Sequence, residues 1–177
     1  MKVLGLLRHA KSDWDDMALR DFDRGLNVRG RRGAALMGRH IVEHGFEWDT
    51  ILASPAVRVR NTLYASGISA PIRWEAGAYL ADSHTLMTLL QGLDEDTGRV
   101  LLAGHNPGLQ ELILELVEPG RPEDLYDDVA MKYPTASFAA LELDIDTWAQ
   151  CRAGCARIIH FARPRDLDPE LGPERVR

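Results

Sequence analysis

Cysteine is scarce: Cys151 and Cys155 are the two in 177 residues. That number cannot build a disulfide framework. A C-x3-C pair with no further cysteine is also a poor base for structural zinc, which usually takes four ligands. Both read as reduced structural thiols in a reducing compartment. Long apolar runs are lacking too. The start, Val3 to Leu7, is interrupted by Arg8, too soon for a signal-peptide core. No stretch approaches the ~20 residues of a membrane span. A cytoplasmic location without membrane partners is expected. An excess of basic residues is missing: 21 Lys and Arg stand against 27 Asp and Glu, for a net charge of −6. Nucleic acid is therefore not an expected partner. There is no Gly-x4-Gly-Lys-Ser/Thr loop, no Gly-x-Gly-x-x-Gly turn, no HExxH and no EF-hand. No metal or cofactor is called for. Asp144-Ile145-Asp146-Thr147 has too little chain behind it for an aspartyl-phosphate mechanism and reads as a turn.

What the sequence does contain is an ordered α/β pattern and an uneven charge. Residues 1–70 hold 11 basic against 8 acidic residues, and residues 71–177 hold 10 against 19. A basic anion site in the first half and a solvated acidic surface in the second would both give this asymmetry. Val3–Leu7, Thr50–Ala53, Ile72–Trp74 and Arg99–Ala103 predict strands. Helices are predicted from Asn27 as cap to about His44, with Gly45 as left-handed stop, and from Ser54-Pro55 to about Ala65. Others are predicted from Ser83 to about Leu90, from Asn106-Pro107 through the apolar stripe Leu109, Leu112, Ile113 and Leu116, and near Glu123–Ala130. Ala136–Leu143 and Ala156–Ala162 read as closing strands. The alternation predicts a three-layer αβα sandwich with a mainly parallel central sheet, a domain over 1–163, and a surface tail over 164–177.

Three strand-to-helix junctions carry hydrogen-bonding groups. They are Arg8-His9, Ser54-Pro55 with Arg58 one turn on, and His105-Asn106. Ligands of such sheets bind at the carboxyl ends of the strands. The junctions would bring two His, two Arg and two helix N-termini together, a setting suited to a phosphoryl group. A cationic cluster also stabilises the charge on a phosphoryl in transfer.

These residues resemble a known family. Leu7-Arg8-His9-Ala10, Ser54-Pro55-Ala56-Val57-Arg58-x3-Thr62 and Gly104-His105-Asn106-Pro107 resemble the histidine phosphatase superfamily, also called phosphoglycerate mutase-like. Arg8-His9-Ala10-Lys11-Ser12-x-Trp14 and Asp21-Phe22-Asp23-Arg24-x-Leu26-Asn27-x-Arg29-Gly30 resemble its small SixA-type phosphohistidine phosphatase branch. The resemblance implies a phosphoglycerate mutase-like fold and a metal-independent phosphatase with His9 as nucleophile, passing through a phosphohistidine enzyme intermediate. Arg8, Arg58 and His105 would hold the phosphoryl oxygens, with Arg24 as a further contact and Lys11, Ser12 and Asn106 at the rim. The other nitrogen of His9 needs a hydrogen-bond partner that the sequence does not show. Relatives place a carboxylic acid to protonate an alcohol leaving group; Asp82 is the candidate here, its competing role being a helix cap beside Ser83. A phosphorylated imidazole leaves more easily than an alkoxide, so an enzyme for phosphohistidine needs its own acid less. The chain spends few residues beyond the core, which predicts an open mouth and a phosphorylated protein as substrate, with phosphate as product; a monomer is expected. The alternatives are a phosphomonoesterase on small metabolites and a catalytically silent phosphate-binding module. His40, His44, His84 and His160 lie outside these motifs and read as structural or surface groups.

Overall fold

The computed structural model describes residues 1–120 and 125–173. Its elements follow the expected order. They are β1 (Lys2–Arg8), α1 (Val28–Glu43), β2 (Thr50–Ala53), α2 (Val57–Ser66), β3 (Ile72–Trp74), α3 (Ser83–Gln91), β4 (Arg99–Gly104) and α4 (Gly108–Leu116), then α5 (Tyr126–Met131), β5 (Phe138–Leu143), β6 (Ala156–Ala162) and α6 (Pro164–Leu167). Of the helix expected near Glu123–Ala130, residues 121–124 lie outside the described residues. The six strands form one sheet in the order β3-β2-β4-β1-β5-β6. β1 runs parallel to β4 and antiparallel to β5, so the parallel part ends where the two closing strands add on.

Strand alternation sorts the core into two faces. Leu4, Leu6, Val100 and Leu102 point to the side covered by Leu86 and Leu90 of α3 and by Leu109, Leu112, Ile113 and Leu116 of α4. Leu7, Ile51, Leu101 and Phe138 point to the side covered by Met37 and Ile41 of α1 and Val59 and Leu63 of α2. This is the αβα sandwich. Four glycines, Gly5, Gly30, Gly38 and Gly108, admit a neighbour where a side chain would collide. A Cβ on Gly5 would lie 2.4 Å from the Trp48 ring, one on Gly30 would lie 2.1 Å from the Lys11 carbonyl oxygen, and one on Gly108 would lie 2.0 Å from the Ala81 carbonyl oxygen. The last two bring the starts of α1 and α4 against the loops beside the strand ends.

Two local expectations change. Ser54 does not cap α2, which begins at Val57; the buried Ser54 hydroxyl serves His105 instead. The residue whose side chain caps α3 is Asp82, not Ser83. The segment over 164–177 is more than a surface tail in its described part, to Pro173. Pro164 is buried, Leu167 packs on the α1/α2 side of the core, and Arg32 of α1 pairs with Asp168 and Glu170. Cys151 and Cys155 are buried and unpaired by a disulfide. Among the described residues, no helix is long and apolar enough to cross a membrane.

Candidate active site

His9 follows the last residue of β1, Arg58 sits in the first turn of α2 after β2, and His105 follows β4. The three junctions do converge. Arg8, His9, Arg58 and Asn106 line one cavity of about 690 Å³, together with Lys11, Ser12 and the 131–135 segment before β5. Rim residues Trp14 and Met131 are 55% and 85% exposed, so the mouth is open.

His9 is 8% exposed, and its Nδ1 lies 2.7 Å from the Ala10 carbonyl oxygen. A carbonyl only accepts, so Nδ1 carries the proton and Nε2 keeps its lone pair. Burial, reinforced by the charges of Arg8 and Arg58, lowers the His9 pKa to about 4. The imidazole is therefore neutral near pH 7. The His105 ring lies 5.4 Å from that of His9, centroid to centroid. Its Nδ1 is 3.3 Å from an Arg58 nitrogen, which can only donate, so Nε2–H donates to Ser54 Oγ at 2.8 Å. Burial and the neighbouring His9 and Arg58 lower its pKa to about 3.

The arginines are held from behind. Arg8 donates to the Tyr133 carbonyl at 3.0 Å, while its Nε is buried without a partner among the described residues. Arg58, 5% exposed, donates to the Asp21 carbonyl at 2.8 Å and to its carboxylate at 3.0 Å. Tyr79 donates its hydroxyl to the same carboxylate oxygen. Burial alone would raise the Asp21 pKa; the hydrogen bonds from Tyr79 and Arg58 outweigh it and hold it below the ordinary value. Thr62 joins two junctions, accepting from the Ala10 N–H at 2.8 Å and donating to the Arg58 carbonyl at 2.7 Å. Asn106 donates to the Tyr133 carbonyl at 3.0 Å and accepts from the Gln110 N–H. Ser12 accepts from the Trp14 indole.

Three expected site residues do not line the cavity: His105 lies behind it, both ring nitrogens engaged by Arg58 and Ser54, and Arg24 and Asp82 are elsewhere. Arg24 is 4% exposed, but its terminal nitrogens donate to the carbonyls of Asp16 and Leu19 and its guanidinium lies 4.0 Å from the Trp14 ring centre. It folds the loop that carries Asp21 and does not line the cavity. Asp82 accepts from the Thr85 N–H at 2.8 Å and is held below the ordinary carboxylate pKa by that bond. It also does not line the cavity; among the described lining residues Asp21 is the one carboxylate. Sequence reasoning missed Asp21 although it stood inside the quoted loop motif, because Arg58 reaches it across 37 residues. Tyr133 gave no signal at all; its contribution is a backbone carbonyl.

Residues 4–84 match the family model of the histidine phosphatase superfamily (branch 1). The uncharacterized protein Rv1276c of Mycobacterium tuberculosis is 32% identical over 160 residues, 90% of this chain and 100% of that protein. The phosphohistidine phosphatase SixA homolog of Haemophilus influenzae is 28% identical over 134 residues, 68% of this chain and 80% of that protein. The structure of a provisionally assigned phosphohistidine phosphatase SixA from Nakamurella multipartitia superposes with a TM-score of 0.80 at 28% identity, covering 92% of this chain and 96% of that one. The ordered motifs, the fold that gathers them and these relatives agree: the chain belongs to the histidine phosphatase superfamily, in its SixA-type branch.

Proposed function

We propose that the protein hydrolyses phosphohistidine on other proteins, through a phosphohistidine formed on its own His9 and without a metal ion. The carrying observation is the His9 tautomer. Nδ1–H is held by the Ala10 carbonyl, and burial keeps the ring neutral, so the Nε2 lone pair is available for in-line attack. In the first step Nε2 forms a bond to phosphorus as the bond from phosphorus to the substrate imidazole nitrogen breaks, and that imidazole takes up a proton from solvent. In the second, water attacks phosphorus as the bond from phosphorus to Nε2 breaks, the water gives a proton to solvent, phosphate leaves, and His9 returns to its neutral form.

Arg8 and Arg58 supply donors for the phosphoryl oxygens, and their cationic field favours the charge that spreads over them in the transition state. That same field depresses both imidazole pKa values. The preference for phosphohistidine rests on the missing acid. Asp21 is engaged by Arg58 and Tyr79 and held ionised, which makes it an acceptor. A leaving imidazole tolerates that better than an alkoxide does. The open mouth suits a side chain presented on a protein surface.

The test is turnover of phosphohistidine peptides and of sugar phosphates by wild type and His9→Ala, with chelator present. We expect an acid-labile, base-stable phosphoenzyme in wild type, activity reduced by at least about 10³-fold in His9→Ala, and faster turnover of phosphohistidine. Activity surviving in the variant would overturn the covalent route. Loss on chelation would overturn metal independence, and a preference for sugar phosphates would overturn the substrate.

A further inference from the structure

Trp14 is half-exposed, yet it is fixed from two sides. Its indole N–H donates to Ser12 Oγ at 3.0 Å. One face of the ring carries the Arg24 guanidinium, 4.0 Å from the ring centre. Arg24 is itself buried, and its terminal nitrogens donate to the Asp16 carbonyl at 2.9 Å and the Leu19 carbonyl at 3.0 Å. The loop that carries Trp14 is also tied at its base. There the Asp13 N–H donates to the Gly25 carbonyl at 2.8 Å, and the Asn27 N–H to the Lys11 carbonyl at 3.1 Å. A side chain held in this way loses little freedom when a ligand packs on it. What remains of the ring belongs to the wall of the cavity that holds His9.

In-line transfer puts the leaving nitrogen on the side of phosphorus opposite Nε2. His9 is buried and Trp14 stands at the rim, so the leaving group points outward, to the mouth that Trp14 borders. We propose that Trp14 determines specificity: its indole stacks on the imidazole ring of the substrate phosphohistidine. Two flat aromatic rings pair favourably beyond the area they bury. The guanidinium behind the indole sets a positive charge near a ring that bears a phosphoryl anion. A phosphorylated amine without a ring offers no face to the indole. The inference rests on the phosphohistidine reading above and names the residue that tells this phosphorus–nitrogen compound from others.

The experiment measures kcat/KM on phosphoimidazole and on phosphoramidate, which share the phosphorus–nitrogen bond and differ in the ring. Inhibition by inorganic phosphate is measured alongside, as a report on the phosphoryl site and the fold. Trp14→Leu should lower the ratio of phosphoimidazole to phosphoramidate about fivefold, within the range of one aromatic pair, with the phosphate inhibition constant within about twofold of wild type. Trp14→Phe also loses the bond to Ser12 but keeps a ring, and should recover most of the ratio. Where wild type does not turn over phosphoramidate, the fall on phosphoimidazole against a level phosphate inhibition constant, recovered by Trp14→Phe, is the same readout. A ratio unmoved by Trp14→Leu, or a Trp14→Phe as low as Trp14→Leu, overturns the stacking role alone. A phosphate inhibition constant that worsens in step with turnover shows that Trp14 only shapes its loop, and overturns it as well. No turnover of any phosphohistidine compound by wild type overturns the parent reading and the stacking role with it.

Discussion

Thr62 joins the His9 loop to Arg58. Its buried hydroxyl takes the Ala10 N–H next to His9 and gives its own proton to the Arg58 carbonyl. Thr62→Val keeps the shape and deletes both bonds, leaving the Ala10 N–H buried and unmet. That should cost about 1–3 kcal/mol, seen as a lower urea midpoint, with a parallel loss in kcat as the His9 loop loosens. Thr62→Ser should recover both, and a full-strength Thr62→Val would show that the His9 loop is held by its other bonds. The four residues His9, Arg8, Arg58 and His105 were legible in the sequence because each ends a strand or opens a helix, and position in an α/β sheet is a local property. Arg24 misled because a charged loop looks the same whether its arginine faces a ligand or its own carbonyls. Only the backbone path, bringing Asp16 and Leu19 onto the guanidinium, decides that.

Element starts are where the site is tuned. The first turn of α1 approaches the loop after β1 so closely that a Cβ on Gly30 would strike the Lys11 carbonyl, whereas one on Gly33, a turn later, meets only the Ala136 methyl at 3.9 Å. Gly30→Ala should therefore destabilise by about 2 kcal/mol or more and reduce activity by displacing the His9 loop. Gly33→Ala should be neutral or stabilising by up to about 1 kcal/mol through helix propensity. Thermal melts of the pair check this, and equal melting temperatures would show that α1 is free to shift. Helix α3 gives the complementary case. Asp82 is its cap, so Asp82→Ala should lower the melting temperature slightly and leave kcat/KM unchanged; a large fall in kcat would restore it as the acid. Cap and acid are the same residue type, and the sequence offered Ser83 as an equally good cap. The choice between them depends on where the chain turns after Leu80, whose φ of 50° is not encoded in any side-chain pattern.

At the scale of the whole molecule, the buried neutral imidazoles link folding to pH. His9 and His105 have folded pKa values of about 4 and about 3, below the ordinary 6.5. The unfolded chain thus binds protons first as pH falls. Their contribution to stability is complete above about pH 6.5 and is lost as pH drops toward 4, by up to about 1.4 kcal/mol per pH unit for each group. Urea midpoints measured from pH 7 to pH 5 should fall, and His9→Asn should show a shallower slope; identical slopes would place the titration elsewhere. The three layers and the mainly parallel sheet were readable from the alternation of strands and helices, because burying one face of each helix leaves few alternatives; the strand order was not. The C-terminal appendage was not readable, since Pro164, Leu167 and the Arg32 pairs depend on where β6 releases the chain.

The central place of β1 has a consequence for synthesis. Its parallel neighbour β4 begins at Arg99 and its antiparallel neighbour β5 at Phe138. The strand that leads into His9 precedes both of its neighbours in the chain, and has no strand partner until β4 has followed. It has its second partner only after the Tyr133 carbonyl that holds Arg8 has been made. Contacts so distant in sequence form late. A growing chain therefore carries His9 long before the segments that close the cavity around it have been made.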